Sequence, residues 1–248
     1  ALEVAEEVIA ELKERGLLFK VEGYQHRYPT CWRCGSELVF RLVDEWFISM
    51  GEVYETPREE LTAAQKAASL RYQMMDVVDR IRWIPGFGRE RELDWLRNMH
   101  DWMISKKRYW GLALPIWACQ DPACGWFTVV GGEDELSARA VKGWEQFEGH
   151  SPHRPHVDAV EILCEDCGGG ARRVSDVGNP WLDAGIVSLS TLPADPADEE
   201  AFEAAKARWF PADFITESFP GQFRNWFYSL LAMSTVLEGQ APFKTVLG

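Results

Sequence analysis

With 248 residues, of which 46% are hydrophobic, the chain can bury a sizeable core and is not an intrinsically disordered protein. Its formal net charge of −13 argues against a DNA-coating protein, because such a chain repels a phosphate backbone unless basic residues are gathered locally. No apolar run is long enough to span a bilayer and no signal-peptide pattern opens the chain, so a cytoplasmic protein without a membrane partner is expected.

The first predicted element is an amphipathic helix over residues 2–15, which Gly16 is suited to end. Residues 17–24 and 37–49 are expected to form short strands on either side of the first cysteine pair. The apolar face of the helix collects five residues at helical spacing: Leu2, Ala5, Val8, Ile9 and Leu12.

Two helical segments are predicted next, the first over residues 57–82, opening at Pro57. After the turn signal IPGFG, residues 89–105 carry one apolar stripe, formed by Leu93, Leu96, Met99, His100 and Met103. His100 is interpreted as a residue at the edge of the core in preference to a ligand or a catalytic group.

The remaining predicted elements are a loop-rich segment and two helices. Residues 112–175 combine four of the six cysteines with a loop-forming composition. An acidic, alanine-rich helix is expected over residues 197–209. Residues 224–239 form a predicted helix that is apolar nearly all round and ends at Gly239, and a helix of that kind is buried.

The six cysteines fall into three pairs, each followed by a glycine. Two thiolates can grip one metal ion from a tight turn when a glycine behind the second takes a positive φ, so the pattern predicts metal ligation. Disulfides are the less favoured interpretation, because they are rare in a reducing compartment. A thioredoxin-type redox motif is also less favoured, because it should open a helix, whereas CWRC lies between predicted strands. The pairs with their glycines are Cys31, Cys34 and Gly35; Cys119, Cys124 and Gly125; and Cys164, Cys167 and Gly168.

Four thiolates complete one tetrahedral zinc site. We predict that the two later cysteine pairs form this site, because the insert between them can form the body of a zinc ribbon. Such a closed site is structural, because catalytic zinc keeps an open position. The first pair is left over. His150, His153 and His156 in HSPHRPH are the alternative ligands, for which a proline-punctuated surface loop is the preferred interpretation.

Four stretches resemble blocks of one enzyme family. HRYPTCWRCGSELVFRLVDEWFISM and DWMISKKRYWGLALPIWACQDPACGW are similar to blocks of isoleucyl-tRNA synthetases, the class I enzymes that activate isoleucine with ATP and load it onto tRNA. WLDAG and FPADFITESFPGQFRNWF are similar to two further blocks of the same catalytic domain, in the same order. The resemblance covers residues 17–248.

The resemblance implies an α/β chain that forms the second part of a Rossmann-type catalytic domain, with a zinc-ribbon insertion and the tail of the editing insertion. Residues 1–30 would end the editing insertion, and residues 31–50 would form a zinc-knuckle half-site and the return to the catalytic domain. Residues 51–111 would be a helical catalytic segment, 112–175 the zinc ribbon and 176–248 the second half of the catalytic domain.

The resemblance also accounts for the leftover cysteines, since the family holds one zinc between two pairs that flank the editing domain. Cys31 and Cys34 match the second pair, and the first is expected upstream, which agrees with a chain that starts in a helix without an initiator methionine. The HIGH-type turn and the KMSKS loop that bind ATP, and the editing pocket, are also expected outside the chain. MISKK at 103–107 is not that loop, whereas FKTVLG is expected to be the strand leading toward it. The isolated chain is therefore expected to lack catalytic residues and to be inactive.

Four residues match positions that contact the substrate in the family. Trp181 and Trp226 would wall the isoleucine side chain, a role suited to rigid aromatic rings, with ordinary core tryptophan as the alternative. Glu217 and Gln222 would contact the aminoacyl-adenylate. The family pattern is Glu-Gly-x-Asp-Gln followed by Arg-Gly-Trp, whereas ESFPGQFRNW has one residue more, with Gly221 where aspartate is usual.

The sequence therefore predicts part of an isoleucyl-tRNA synthetase, with zinc as the bound metal. Its partners would be isoleucine, ATP with Mg²⁺, tRNA(Ile) and the remaining parts of its own chain. A valyl- or leucyl-type relative is one alternative. A non-catalytic zinc-ribbon binding module derived from a synthetase is another.

Overall fold

The computed structural model divides into two compact units, Ala1–Asp44 and Glu45–Gly248. The structure describes residues 2–31, 34–39, 42–195, 197–219 and 221–248.

The first unit contains one of the predicted helices and a closed turn. Helix α1, Leu2–Glu14, confirms the amphipathic helix expected at the start of the chain. The strand predicted over residues 17–24 is wrong, because the segment is almost fully exposed and forms no strand; Phe19, for example, is 100% exposed. An antiparallel bridge between Thr30 and Glu37 closes the turn that contains the first cysteine pair.

The second unit combines helices with short strands. The strand predicted over residues 37–49 is wrong for most of its described length, because only Phe47–Ile48 forms a strand. Phe40 and Arg41 lie outside the described residues. The helices are α2 (Ala63–Ala67), α3 (Leu70–Val78), α4 (Phe87–Asn98), α5 (Glu133–Arg139), α6 (Trp144–Phe147), α7 (Pro180–Gly185), α8 (Val187–Ser190), α9 (Glu199–Trp209) and α10 (Trp226–Glu238). The strands are β1 (Phe47–Ile48), β2 (Arg82–Ile84), β3 (Trp102–Met103), β4 (Ser105–Lys106), β5 (Ile116–Cys119), β6 (Phe127–Val129), β7 (Ala140–Lys142), β8 (Glu161–Leu163), β9 (Gly170–Arg173), β10 (Val177–Gly178), β11 (Ile215–Thr216) and β12 (Thr245–Leu247).

The strands form parallel and antiparallel sheets, as expected for an α/β chain. A parallel sheet has the order β11-β12-β2, and its central strand β12 confirms the strand predicted in FKTVLG. A five-stranded antiparallel sheet has the order β6-β5-β9-β8-β7. The other named strands form two antiparallel pairs, β1 with β3 and β4 with β10.

The parallel sheet lies in the main hydrophobic core, which is rich in aromatic side chains. Trp83 of β2 lies within 6.0 to 6.5 Å, between ring centroids, of four phenylalanines: Phe219, Phe223, Phe227 and Phe243. A second core belongs to the antiparallel sheet and includes the buried Trp117, Phe147 and Ile162. The five-stranded sheet therefore has a hydrophobic core of its own.

The single helix predicted over residues 57–82 is wrong. The structure has a 3₁₀ turn at Arg58–Glu60, then α2 and α3, and the chain leaves the helix for β2. Thr62 and Gln65 form a capping box that starts α2. The break before α3 falls at the buried Ser69, whose hydroxyl donates to the carbonyl oxygen of Met50 at 3.2 Å. Tertiary contacts therefore override the helical pattern.

The helix predicted over residues 89–105 ends earlier than expected, at the C-terminus of α4. Leu96 and Met99 are buried as the stripe predicts, but His100 is exposed and Met103 lies in β3. The cause is Arg71, only 3% exposed, whose guanidinium donates to the carbonyl oxygens of Leu96 and Met99. This side chain caps the helix and the stripe stops there.

The two C-terminal helices confirm their predictions. Asp198 caps α9 by accepting from the N–H of Ala201 at 3.1 Å. Helix α10 ends at Gly239, which has φ of +64°. Its buried residues lie on most sides, as its all-round apolar sequence indicates.

One carboxyl group is buried in the main unit without a hydrogen bond. Glu92 on α4 is 0% exposed, and neither of its side-chain oxygens has a partner in the part of the chain that the structure describes. Burial raises the pKa of Glu92 well above its ordinary value, because the charged form loses its water.

We expect Glu92→Gln to stabilise the chain at alkaline pH. A carboxyl whose pKa is raised on folding stabilises the fold below its unfolded pKa, and that stability is lost as the pH rises toward the folded pKa. The advantage of the variant should be small at pH 4 and at least about 1 kcal/mol at pH 8, measured by urea unfolding. The exposed Glu200→Gln is the control, and an advantage of Glu92→Gln that does not depend on pH would contradict this account.

Candidate functional site

The structure brings together the four cysteines that the sequence assigns to one metal site. All four Sγ atoms lie within 4.8 Å of one another, with Cys119 at 3.5 Å from Cys167 and Cys124 at 3.6 Å from Cys164. A disulfide requires about 2.0 Å, so the thiols are free. Four sulfurs at about 2.3 Å from a tetrahedral zinc ion lie about 3.8 Å apart, and the donor set therefore fits this ion.

Neighbouring strands position the two pairs. Cys119 ends β5, which pairs with β9, and Cys164 follows β8, which pairs with the other edge of β9. The turns after β5 and β8 therefore meet at one end of the sheet. Gly125 and Gly168, with φ of +70° and +72°, take the left-handed conformation predicted behind each second cysteine.

Cys164 is the buried member of the cluster, 2% exposed. The N–H of Gly168 donates to its carbonyl oxygen at 2.9 Å, and its own N–H donates to Gly169 at 2.8 Å. Burial opposes a charge on the sulfur, but hydrogen bonds from the N–H groups of Cys167 and Asp166 outweigh it and lower the pKa of Cys164 to about 7. The thiolate, which is the metal-binding form, is thus favoured at Cys164. At Cys124 the N–H of Trp126 opposes the shift, but burial and the neighbouring thiols raise the pKa to about 12.

Cys31 and Cys34 form a turn of the same kind in the first unit. The N–H of Gly35 donates to the carbonyl oxygen of Cys31 at 2.8 Å, and the N–H of Cys31 donates to Ser36 at 2.8 Å, which are the same two sequence offsets as at Cys164. Hydrogen bonding to the side chain of Ser36 lowers the pKa of Cys34 to about 7. The described residues of the two turns therefore share this pair of backbone hydrogen bonds.

Among the described residues, no group of three or more metal-ligating side chains includes Cys31 or Cys34. Trp32 and Arg33, which complete the CWRC motif, lie outside the described residues.

The three histidines of HSPHRPH pack as aromatic rings. His150 and His156 are stacked with ring centroids 4.0 Å apart, and His153 is stacked on Trp110 at 5.0 Å. Within the described part of the chain, none of them belongs to the cysteine cluster. The structure therefore gives no support to the histidine alternative for that cluster.

Trp181 lines a cavity of ≈360 Å³. It is the second residue of α7, whose N-cap Asn179 accepts from the Trp181 N–H at 3.2 Å and donates to the carbonyl oxygen of Met103 at 3.3 Å. The side chain of Asn179 therefore ties the start of α7 to β3. Other residues on the cavity wall are Trp95, His100, Asp101, Trp102, Arg224 and Tyr228.

Trp226 opens α10 and is tied to α7. Its indole N–H donates to the carbonyl oxygen of Ala184 at 3.1 Å, and its backbone N–H donates to Oε1 of Gln222 at 3.1 Å. The two helices approach closely because Gly185, the glycine of WLDAG, has no side chain: a Cβ there would lie 2.7 Å from the carbonyl oxygen of Ser229. Trp226 is half-buried. The N-cap residue Asn225 makes no side-chain cap, so Oε1 of Gln222 is the group that satisfies the first N–H of the helix.

Glu217 lies at the carboxyl edge of the parallel sheet. It follows β11 directly, and its N–H donates to Leu247 of β12 at 3.2 Å. Its exposed carboxylate accepts from the N–H and the hydroxyl of Ser218 at 2.8 and 3.1 Å. Ligands of open parallel sheets bind at this edge, so Glu217 is suitably placed for contact with one.

Reasoning from the sequence missed most of the Trp181 cavity. Trp95, Trp102 and Tyr228 come from α4, β3 and α10, and no spacing along the chain joins them. The stripe predicted over residues 89–105 gave no sign that Trp102 would lie in β3. In the described residues, no helix has the length and apolarity needed to cross a membrane.

Comparisons with known proteins agree on one family. The model of tRNA synthetases class I (I, L, M and V) matches residues 3–248. Isoleucine–tRNA ligases from Methanothrix thermoacetophila and Thermus thermophilus are 42% and 39% identical over 97% of this chain, which spans 20% of each relative. A crystal structure of Agrobacterium radiobacter LeuRS with tRNA and LeuAMS is 20% identical over 60% of this chain and 19% of that one, with a TM-score of 0.40, a likeness too low to bear on the site. The chain belongs to the class I tRNA synthetases of the isoleucine, leucine, methionine and valine group.

Proposed function

We propose that the chain is part of an isoleucine–tRNA ligase. This enzyme forms isoleucyl-adenylate from isoleucine and ATP with release of pyrophosphate, and then transfers the isoleucyl group to the terminal ribose of tRNA with release of AMP. The observation that carries this proposal is the match, over 97% of the chain, to relatives that are named isoleucine–tRNA ligase. The chain spans about a fifth of their length.

Within this enzyme the segments take the roles that the resemblance implies. Residues 1–30 end the editing insertion, and 31–50 form a half-site for zinc and return to the catalytic domain. Residues 51–111 and 176–248 belong to the Rossmann-type domain, and 112–175 form the zinc ribbon. The parallel sheet β11-β12-β2 and the separate core of the antiparallel sheet support this division.

Trp181 and Trp226 wall the apolar side chain of isoleucine. The first lines a cavity, and the second lies half-buried at the start of the helix packed against the first. The indole N–H of Trp226 is bound by Ala184, and the backbone N–H of Trp181 is bound by Asn179, so the ring of Trp226 and the backbone of Trp181 are anchored.

Glu217 and Gln222 contact the polar part of the adenylate. The carboxylate of Glu217 at the sheet edge can accept from an ammonium group or from ribose hydroxyls. Because Oε1 of Gln222 caps α10, its side-chain NH₂ is left to donate to the ligand. The chemistry in this chain is positioning, and the groups that bind the phosphates of ATP with Mg²⁺ are expected in other parts of the enzyme.

The four clustered cysteines hold a structural zinc ion, which fixes the end of the five-stranded sheet. Zinc supplies four strong bonds there and no reactive position. Cys31 and Cys34 supply two ligands of a second site whose other ligands lie outside this chain.

The first prediction from this proposal is that the chain keeps about one zinc ion after mild chelation, measured by elemental analysis. Cys164→Ser should lower the content to well below one, because three thiolates form a weaker cage. Cys34→Ser is the matched control and should leave the tightly held ion in place. Absence of zinc from the wild type, intramolecular disulfides, or equal losses in both variants would refute the assignment.

The second prediction concerns the tryptophan wall and requires the full-length enzyme. Trp181→Ala and Trp226→Ala should raise the KM for isoleucine about tenfold or more and leave the KM for ATP near normal, because apolar contact is lost in one subsite alone. Isoleucine-dependent pyrophosphate exchange is the measurement, with valine and leucine as competing substrates. The isolated chain should show no exchange.

Trp209→Ala is the control, since this tryptophan is 53% exposed and belongs to α9, not to α7 or α10. Melting temperatures must be compared, because loss of a buried aromatic costs about 3 to 5 kcal/mol. If both variants unfold, or if the KM values for ATP and isoleucine rise together, the tryptophans are ordinary core residues. Preference for valine or leucine would identify a different member of the group.

A further inference from the structure

A second cavity, of ≈240 Å³, lies within the core of the five-stranded antiparallel sheet. We call it the ribbon cavity, after the segment 112–175 that is proposed to form the zinc ribbon. Six of its wall residues are buried members of that core, and none of the six is more than 7% exposed. They are Ala113, Trp117, Val130, Leu136, Phe147 and Val157.

The inner wall of the ribbon cavity offers no free polar side-chain group to an occupant. Of the described wall residues, Trp117 and Glu133 alone carry polar side-chain atoms. The indole N–H of Trp117 donates to the carbonyl oxygen of Val160 at 2.9 Å and is therefore satisfied. Protein interiors are close-packed, and an apolar cavity gives water no hydrogen-bond partners. The cavity thus favours an apolar occupant.

The opening of the ribbon cavity carries a negative charge. Glu133, the first residue of α5, lines the cavity and is exposed, so its carboxylate lies where the cavity meets solvent. In the described part of the chain this carboxylate has neither a hydrogen bond nor an ion pair. The nearby Glu135, by contrast, pairs with Arg139 at 2.8 Å and accepts from the N–H of Gly131 at 2.8 Å. Glu133 is also the one charged residue among the described wall residues, so a cation is the complementary partner.

The volume limits the occupant to about one ring with a short chain. Drug-sized ligands occupy about 300 to 1,000 Å³, and an apolar cavity of about 150 Å³ binds benzene. Trp117 and Phe147 supply aromatic surface, which packs against an apolar group and attracts a cation. We propose that the ribbon cavity binds a small hydrophobic ammonium ion, with its apolar group against Trp117 and Phe147 and its charge beside Glu133.

This site is separate from the chemistry of the proposed function. Its wall residues lie within residues 112–157, whereas the four residues proposed to contact the substrate lie within residues 181–226. A full-length enzyme that binds the ammonium ion without isoleucine-dependent exchange would refute the proposed function alone. Exchange without ammonium binding would refute this site alone.

The test is a ligand-observed NMR titration of the 248-residue chain with 2-phenylethylammonium, 2-phenylethanol and 3-phenylpropanoate, which share one ring and differ in charge. The cation should bind with a Kd of about 1 mM or below, as expected for a ligand of about nine heavy atoms. Glu133→Gln should weaken the cation about threefold and leave the alcohol unchanged, because an exposed ion pair is lost. Asp134→Asn, at the adjacent exposed carboxylate, is the matched control and should change neither Kd.

Ala113→Leu tests where the ligand binds. The larger side chain should fill part of the cavity and weaken both the cation and the alcohol at least tenfold. The melting temperature should be unchanged or raised, because filling a void stabilises a core. Ala204→Leu, at an exposed position of α9, is the control and should weaken neither ligand.

Failure of the cation to bind, equal binding of the cation and the carboxylate, or equal effects of Ala113→Leu and Ala204→Leu would overturn the proposal. Binding to the 248-residue chain that is lost in the full-length enzyme would also overturn it, because another part of the same polypeptide would then fill the cavity. If Ala113→Leu fails to fold, Glu133→Gln at its exposed position still decides, through the difference between the cation and the alcohol.

Discussion

The buried guanidinium of Arg71 is the contact on which the rest of the main unit depends. The last carbonyl groups of a helix carry partial negative charge and have no partner within the helix. Arg71 supplies donors to Leu96 and Met99 from inside the core, so α4 can end there without unpaired buried oxygens. Because the helix stops at this point, the chain turns into β3, and Trp102 comes to line the same cavity as Trp181. The candidate amino acid pocket thus follows from one capped helix end.

A second buried arginine has the corresponding role in the antiparallel part. The side chain of Arg173 is 0% exposed and donates to Asp158 at 2.6 Å and to the carbonyl oxygens of Leu114 and Asp176 at 3.2 and 3.0 Å. Burial lowers the pKa of Arg173, and the ion pair with Asp158 keeps the charge compensated. Leu114 precedes β5 and Asp176 precedes β10, so this group ties together the chain entering and leaving the sheet that carries the cysteines.

These two arginines show why the sequence predicted some elements and not others. Helices α1, α9 and α10 and the cysteine turns are determined by short-range signals, such as Asp198 as a cap and Gly239 as a stop. The start of α3 depends on Ser69 and the end of α4 depends on Arg71, and both side chains act through contacts across the core. Hydrophobic periodicity does not predict such contacts. In the candidate site, Trp181 was predicted because WLDAG resembles a block of the isoleucyl-tRNA synthetases. The residues facing it come from distant segments.

The proposed tryptophan wall would by itself give only limited discrimination between amino acids. One methylene group in an apolar pocket changes binding by about 1 to 3 kcal/mol, even when the wall is rigid. In the proposed wall, the indole N–H of Trp226 is bound by Ala184, whereas Asn179 and Gln222 bind the backbone N–H groups of Trp181 and Trp226. A ring that could relax would accept the smaller side chain more readily, so the bond to Ala184 would favour discrimination. Gln222 is the informative case, because its Oε1 accepts from the first N–H of α10 and the proposed function assigns its NH₂ to the ligand. Its position is therefore fixed by the fold before any ligand arrives, which is the condition for selective positioning.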